Sequence, residues 1–159
     1  MNQKYVLITG ASRGIGRACA LAFARNHYHV FLNCRHSLDA LQEVEQEILA
    51  AQGTCTLLPG NVGDPDEVRE MFSVIESRCP GLDVLVNNAG ISFVGLLQDM
   101  SDAQWSEILN TIFLLYFTAA EAPSATWSHR KAERSSIFPP CGEPSAPPAR
   151  PPILRPSPV

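Results

Sequence analysis

The chain has 159 residues, 45% of them apolar and 18% charged, with a net charge of −4. No nucleic acid partner is expected, and no apolar stretch approaches the roughly 18 residues of a membrane span. The amino terminus lacks the regions of a secretory signal, and Cys19, Cys34, Cys55, Cys79 and Cys141 fall in no metal-ligand spacing and are odd in number; the expectation is a soluble, cytoplasmic protein with neither zinc nor a disulfide framework.

The first element, Tyr5-Val6-Leu7-Ile8, is an apolar strand that runs directly into Thr9 to Gly16, TGASRGIG. A strand that ends in glycines and then enters a helix aims free backbone N–H groups and the positive helix end at an anion, while the glycines let the backbone approach a pyrophosphate closely. The turn therefore reads as a dinucleotide site. Gly16 to Asn26 should form a helix and His29 to Asn33 a short strand. Ser37 then caps a helix whose Leu38, Leu41, Val44 and Ile48 make one apolar stripe, with Gly53 as its stop. Thr54 to Leu58 gives a third strand, Asp64-Pro65 opens a helix with Val68, Phe72 and Ile75 on one face, and Leu82 to Asn87 gives the fourth strand. Ser101 with Gln104 makes a capping box for a helix that carries Trp105, Ile108 and Leu109.

Strand and helix alternate throughout this stretch, which is the rhythm of an α/β parallel sheet. Right-handed crossovers order the strands 3-2-1-4, so residues 1–111 are expected to form an incomplete Rossmann fold, the first half of a doubly wound sheet. From Ile112 onward the character changes: 10 of the 13 prolines lie between Pro123 and Pro158, and no apolar period survives. Residues 112–159 are expected to be an irregular, disordered, Pro-rich tail.

Two motifs carry a resemblance. The glycines of the first turn are spaced T-G-x-x-x-G-x-G, and the apolar run Val84-Leu85-Val86 ends in Asn87-Asn88-Ala89-Gly90. Together, on two strand ends, they resemble the short-chain dehydrogenase/reductase family, and the overall look is that of the bacterial 3-oxoacyl-acyl-carrier-protein reductases within it. The resemblance implies an NAD(P)-dependent oxidoreductase acting on a carbonyl or acyl-thioester substrate, in an intact parent that is a homo-oligomer of subunits of roughly 200–250 residues. It also implies a catalytic tyrosine as proton donor, a lysine that lowers its pKa, a serine that orients the carbonyl and an asparagine that holds a water.

None of those four groups stands at its family position here. The asparagine position, seven residues beyond Trp105, is Ile112; Asn110 is out of register by two and reads as an ordinary helix-surface residue. The tail reads as a shifted frame. If each original codon joins the third base of one residue to the first two of the next, the stretch from Glu133 permits K-I-I-N-I-S-S-M-W-G-T-V-G-A-S-C and then A-A-Y-S-A-T-K, with the serine at the codon overlapping Pro140, the tyrosine at Ile153 and the lysine at Ser157. Loss of one A from a Thr-Asn pair of the form ACA AAT near codon 112 would produce the break. No residue of the chain as it stands is expected to be catalytic.

The cofactor half is in better order. The turn after the second strand reads Asn33-Cys34-Arg35-His36, with a cation where an NAD site would place a carboxylate, and Arg13 in the glycine turn offers a second. Guanidinium suits phosphate, so NADP(H) is expected over NAD(H). The expected cofactor-binding set is Gly10, Ser12, Arg13, Gly14, Ile15 and Gly16 in the turn, Arg35 beyond the second strand, Asn61 and Val62 beyond the third, and Asn88, Ala89 and Gly90 beyond the fourth. Two readings stand: a truncated, inactive reductase by ancestry, and a noncatalytic nucleotide-binding protein that uses its Pro-rich tail for partners.

Overall fold

The computed structural model describes residues 3–121, with side chains through residue 112. Four strands, β1 (Lys4–Ile8), β2 (Tyr28–Cys34), β3 (Thr54–Pro59) and β4 (Val84–Val86), form one parallel sheet in the order β3-β2-β1-β4. This is the order that right-handed crossovers require. Four helices, α1 (Gly14–Arg25), α2 (Leu38–Ala50), α3 (Pro65–Arg78) and α4 (Asp102–Glu121), connect or follow the strands.

The sheet is apolar on both faces because each face is covered. Val6, Ile8, Val30 and Leu32 point to the side of α1 and α2, where they meet Ala20, Ala24, Leu41, Val44 and Ile48. Leu7 and Phe31 point to the other side and meet Val68, Met71, Phe72 and Ile75 of α3. Alternate residues of one strand thus serve two cores, and consecutive apolar residues such as Val6-Leu7-Ile8 are nearly fully buried.

Local chemistry sets the helix ends. Asp64 caps α3, its carboxylate accepting from the N–H groups of Asp66 (2.9 Å) and Glu67 (3.4 Å), with Pro65 at the first helical position. Before α4, the Gln104 amide oxygen accepts from Ser101 N–H (2.9 Å) and the Ser101 hydroxyl accepts from Gln104 N–H (3.3 Å). Both arms of the capping box are present.

Three sequence expectations are corrected in detail. Ser37 precedes α2 but makes no side-chain cap, and Leu38 is exposed, so the buried stripe is Leu41, Val44 and Ile48 alone; the first turn of α2 stands at the edge of the cleft described below rather than over the sheet. Gly53 does not supply the left-handed turn that ends α2. Gln52 does (φ 60°), and Gly53 instead closes the end by donating its N–H to the Ile48 carbonyl at 2.9 Å. β4 is shorter than Leu82 to Asn87, because at Asp83 a carboxylate replaces the ladder: it accepts from Tyr5 N–H (2.8 Å) while Asp83 N–H donates to the Tyr5 carbonyl (2.9 Å).

α4 continues through Glu121 and so crosses the 111/112 boundary. The remainder of the expected tail, from residue 122, lies outside the described residues, as does the side chain of Cys141. Among the described residues, Cys34 and Cys79 are buried and Cys19 and Cys55 partly so, all as free thiols. Burial, with the nearby Glu45 carboxylate, pushes the Cys55 thiol up to about 11. No helix among the described residues is long and apolar enough to cross a membrane.

Under the sheet, away from the glycine turn, the half-buried ring of His29 lies 3.0 Å from the Thr56 hydroxyl, which the Arg78 guanidinium also reaches at 3.5 Å. Burial first, and the Arg78 charge second, hold the His29 pKa below its usual 6.5. The unfolded chain therefore binds more protons near that pH, and stability present above it is lost as pH falls through the unfolded value toward the folded one. Urea midpoints measured between about pH 7.5 and 5.5 should fall, and His29→Gln should shrink the fall; an unchanged pH slope in the variant would remove His29 as its cause.

Candidate functional site

The carboxyl ends of β1, β2, β3 and β4 converge on one cleft of about 280 Å³. Such crevices beyond strand ends are where open α/β sheets bind ligands. Thr9 ties its floor together: the hydroxyl donates to the Val86 carbonyl (3.4 Å) and accepts from the N–H groups of Asn88 (3.0 Å) and Ala89 (2.9 Å). The Asn88 side chain returns the link, donating to the carbonyls of Thr9 (3.0 Å) and Gly10 (3.1 Å). β1 and β4 thereby end in one hydrogen-bonded knot.

The glycines have separate reasons. Gly10 (φ 63°) and Gly14 (φ 56°) adopt the left-handed conformation. Gly16 has an ordinary φ but no room: a Cβ there would overlap the Gly10 carbonyl oxygen and come within 2.5 Å of Asn88 Nδ2. Gly90 has nothing within 4 Å of that position. Arg13 sits just before α1 in extended conformation, no side chain caps the helix and no acidic residue lies in its first turn. The positive helix end and its free N–H groups are thus left to whatever enters the turn.

At the far end, Asn33 is fully buried and donates to the carbonyls of Leu58 (2.9 Å) and Gly60 (3.0 Å), locking β2 to the turn after β3. Ala11 N–H donates to the Asn33 carbonyl (2.8 Å), which joins the glycine turn to the same element. Asn61 is held on both sides: its N–H donates to Glu67 Oε2 (2.7 Å) and its side-chain oxygen accepts from Gly63 N–H (2.9 Å). No hydrogen bond among the described residues occupies its amide NH₂. Burial raises the pKa of the Cys34 thiol, partly offset by the Ser37 N–H.

Of the twelve expected residues, Gly10, Ser12, Arg13, Arg35, Asn61, Val62, Asn88, Ala89 and Gly90 line this cleft. Gly14, Ile15 and Gly16 do not; Ile15 is exposed on the first turn of α1. Sequence reasoning did not single out Gly60, Ile91 or Thr111, which also line it. Thr111 is buried, its hydroxyl donating to the Glu107 carbonyl (2.8 Å) in a helical i to i−4 bond that leaves no mark in sequence. No carboxylate is among the lining residues, while Arg13, Arg35 and His36 are.

The family model for short chain dehydrogenase matches residues 4–137. The chain is 42% identical over 108 residues to a 3-oxoacyl-acyl-carrier-protein reductase from Staphylococcus aureus, covering 68% of this chain and 44% of that protein. It is 34% identical over 134 residues to a 3-oxoacyl-acyl-carrier-protein reductase from Synechocystis, covering 84% and 54%. Among solved structures, a short chain dehydrogenase from Burkholderia cenocepacia in complex with NADP superposes with a TM-score of 0.73 at 31% identity, over 79% of this chain and 51% of that one. The chain spans about half the length of the relatives it matches.

Proposed function

Since the chain belongs to the short-chain dehydrogenase/reductase family, we propose that its cleft holds NADP(H), as the nucleotide half of a cytoplasmic reductase of ketones or 3-oxoacyl thioesters. One observation carries the cofactor reading: two guanidinium groups, Arg13 from the turn after β1 and Arg35 from the turn after β2, line the cleft and no carboxylate does. A 2′-phosphate there can be met by planar donors, one of which, Arg35, is already paired with the Glu107 carboxylate beside the cleft. The residues present also fit the rest of the molecule. The close approach of Gly16 to Gly10 leaves backbone, and not side chain, beside the pyrophosphate position, Val62 offers an apolar wall for adenine, and the Asn61 NH₂ remains as a donor to a ring nitrogen.

Bound NADPH would supply hydride to a carbonyl carbon. The described residues of this chain bind and orient; neither a tyrosine nor a lysine is among those that line the cleft. We read Ile112, Pro140, Ile153 and Ser157 as standing where the family's asparagine, serine, tyrosine and lysine belong, and residues 112–159 as the product of a shifted frame. Against a break at codon 112 stands the family match, which runs on to residue 137; the nucleotide sequence of the locus decides between a single missing A and an uninterrupted frame.

NADPH should bind the unmodified chain roughly tenfold more tightly than NADH, the worth of one charge-assisted hydrogen bond. Arg35→Glu should erase the preference by setting a carboxylate against the 2′-phosphate. Equal affinities of the unmodified chain for the two nucleotides would defeat the reading.

A further inference from the structure

Arg35 is already engaged. Its Nη1 lies 2.6 Å from Glu107 Oε1, an ion pair between groups 72 residues apart. The other two ion pairs among the described residues, Arg17 with Glu47 and Arg69 with Asp66, lie on helix surfaces and do not line this cleft. This one stands beside the cleft: Arg35, in the turn after β2, lines it, and Glu107 lies on α4 one turn before Thr111, which lines it too.

We propose that Glu107 competes with the 2′-phosphate of the nucleotide for Arg35, so that the affinity for phosphorylated cofactor is set by α4 as well as by the turn after β2; the inference rests on the reading of the cleft as an NADP(H) site. The carboxylate takes one arm of the guanidinium fork, and a phosphate brought to the same fork meets an anion a few ångströms away. Like charges at that distance repel, so the pair must open or the phosphate must bind against it. Opening is cheap. The two side chains are 39% and 49% exposed, and ion pairs this wet are weak and readily exchanged for water. Glu107 therefore lowers the affinity for a 2′-phosphate without abolishing it. A nucleotide that lacks the phosphate never contends for Arg35 and is indifferent to residue 107. Nothing in a dinucleotide fingerprint marks position 107, because its effect comes from the helix that follows the fourth strand.

The test uses the full 159-residue chain and four probes, adenosine 2′,5′-bisphosphate and NADPH against adenosine 5′-monophosphate and NADH, titrated calorimetrically. Glu107→Gln keeps the shape and removes the charge. It should tighten both 2′-phosphorylated probes by about three- to tenfold and leave the other two unchanged. Glu107→Ala should do the same, which separates loss of charge from loss of a packing stem. Weaker binding of the bisphosphate to Glu107→Gln overturns the proposal, since the carboxylate would then be holding Arg35 in place for the phosphate. Equal shifts for all four probes also overturn it, by making residue 107 a matter of cleft shape. A wild-type preference for NADPH that neither variant changes defeats this inference and leaves the NADP(H) reading intact; a wild-type chain with no preference defeats both.

Discussion

The purified 159-residue chain should reduce neither a 3-oxoacyl thioester nor a simple ketone when supplied with NADPH. Proton delivery by a positioned acid contributes roughly 10²–10⁴-fold to reactions of this kind, and a tyrosine serves only when a neighbouring cation brings its pKa down from about 10. Ile153 and Ser157 can be neither the acid nor the cation, and Ile112, half-buried on α4, cannot hold a water. Cofactor binding should survive, because it depends on β1, α1 and the ends of β2, β3 and β4. The pairing of intact binding with absent turnover is what distinguishes a nucleotide half from an unfolded chain. Insertion of one A at codon 112, with read-through beyond codon 159, should restore NADPH oxidation with a 3-oxoacyl thioester. Robust turnover by the unmodified chain would overturn this, and Tyr116 would be the first proton donor to test.

Gly16→Ala should cost at least tenfold in NADPH affinity and about 1–3 kcal/mol in stability, the usual penalty of forcing a methyl into a filled space. Its Cβ would overlap the Gly10 carbonyl oxygen, which is backbone and cannot swing aside, and press on Asn88 Nδ2. Relief requires the glycine turn to move away from the β4 end, which opens the knot around Thr9. Two other glycines calibrate the effect. Gly14→Ala meets nothing within 4 Å but must hold φ 56°, a strain of about 1–2 kcal/mol. Gly90→Ala meets nothing and has no such φ, so it should stay within about 0.5 kcal/mol of the parent. Urea titrations of the three variants check the order, and a Gly16→Ala chain as stable as Gly90→Ala would show that the two turns do not touch as described.

The sheet order and the glycine turn were legible because both rest on short-range rules: apolar runs of strand length, glycines where φ or space demands them, and a fixed crossover hand. Asp64 and the Ser101–Gln104 pair could be read for the same reason, since a cap is local chemistry. What escaped depended on contacts across the chain. Ser37 has the right side chain for a cap and does not use it; Gln52 takes a conformation that glycine would have been expected to hold; Asp83 substitutes its carboxylate for a ladder bond to a residue 78 positions away. In the cleft, Arg35 was legible as a cation but not as one half of a pair, because Glu107 reaches it only after four strands have been laid side by side. Thr111 carries no sequence signal of its own, because its hydroxyl is spent on the Glu107 carbonyl and only the packing of α4 brings it to the cleft.

Asn88 stands among the residues one would expect to touch a nucleotide, yet both carbonyls it donates to belong to Thr9 and Gly10. Its amide acts as a clamp. A screen for loss of cofactor affinity would recover substitutions at Asn88 alongside those at Arg35 and record both as contacts, although the first fails by letting two strand ends drift apart and the second by losing a charge. Salt would tell them apart: the defect at Arg35 should fade as ionic strength rises and screens the phosphate, while a loosened clamp should be as damaging in concentrated salt as in dilute.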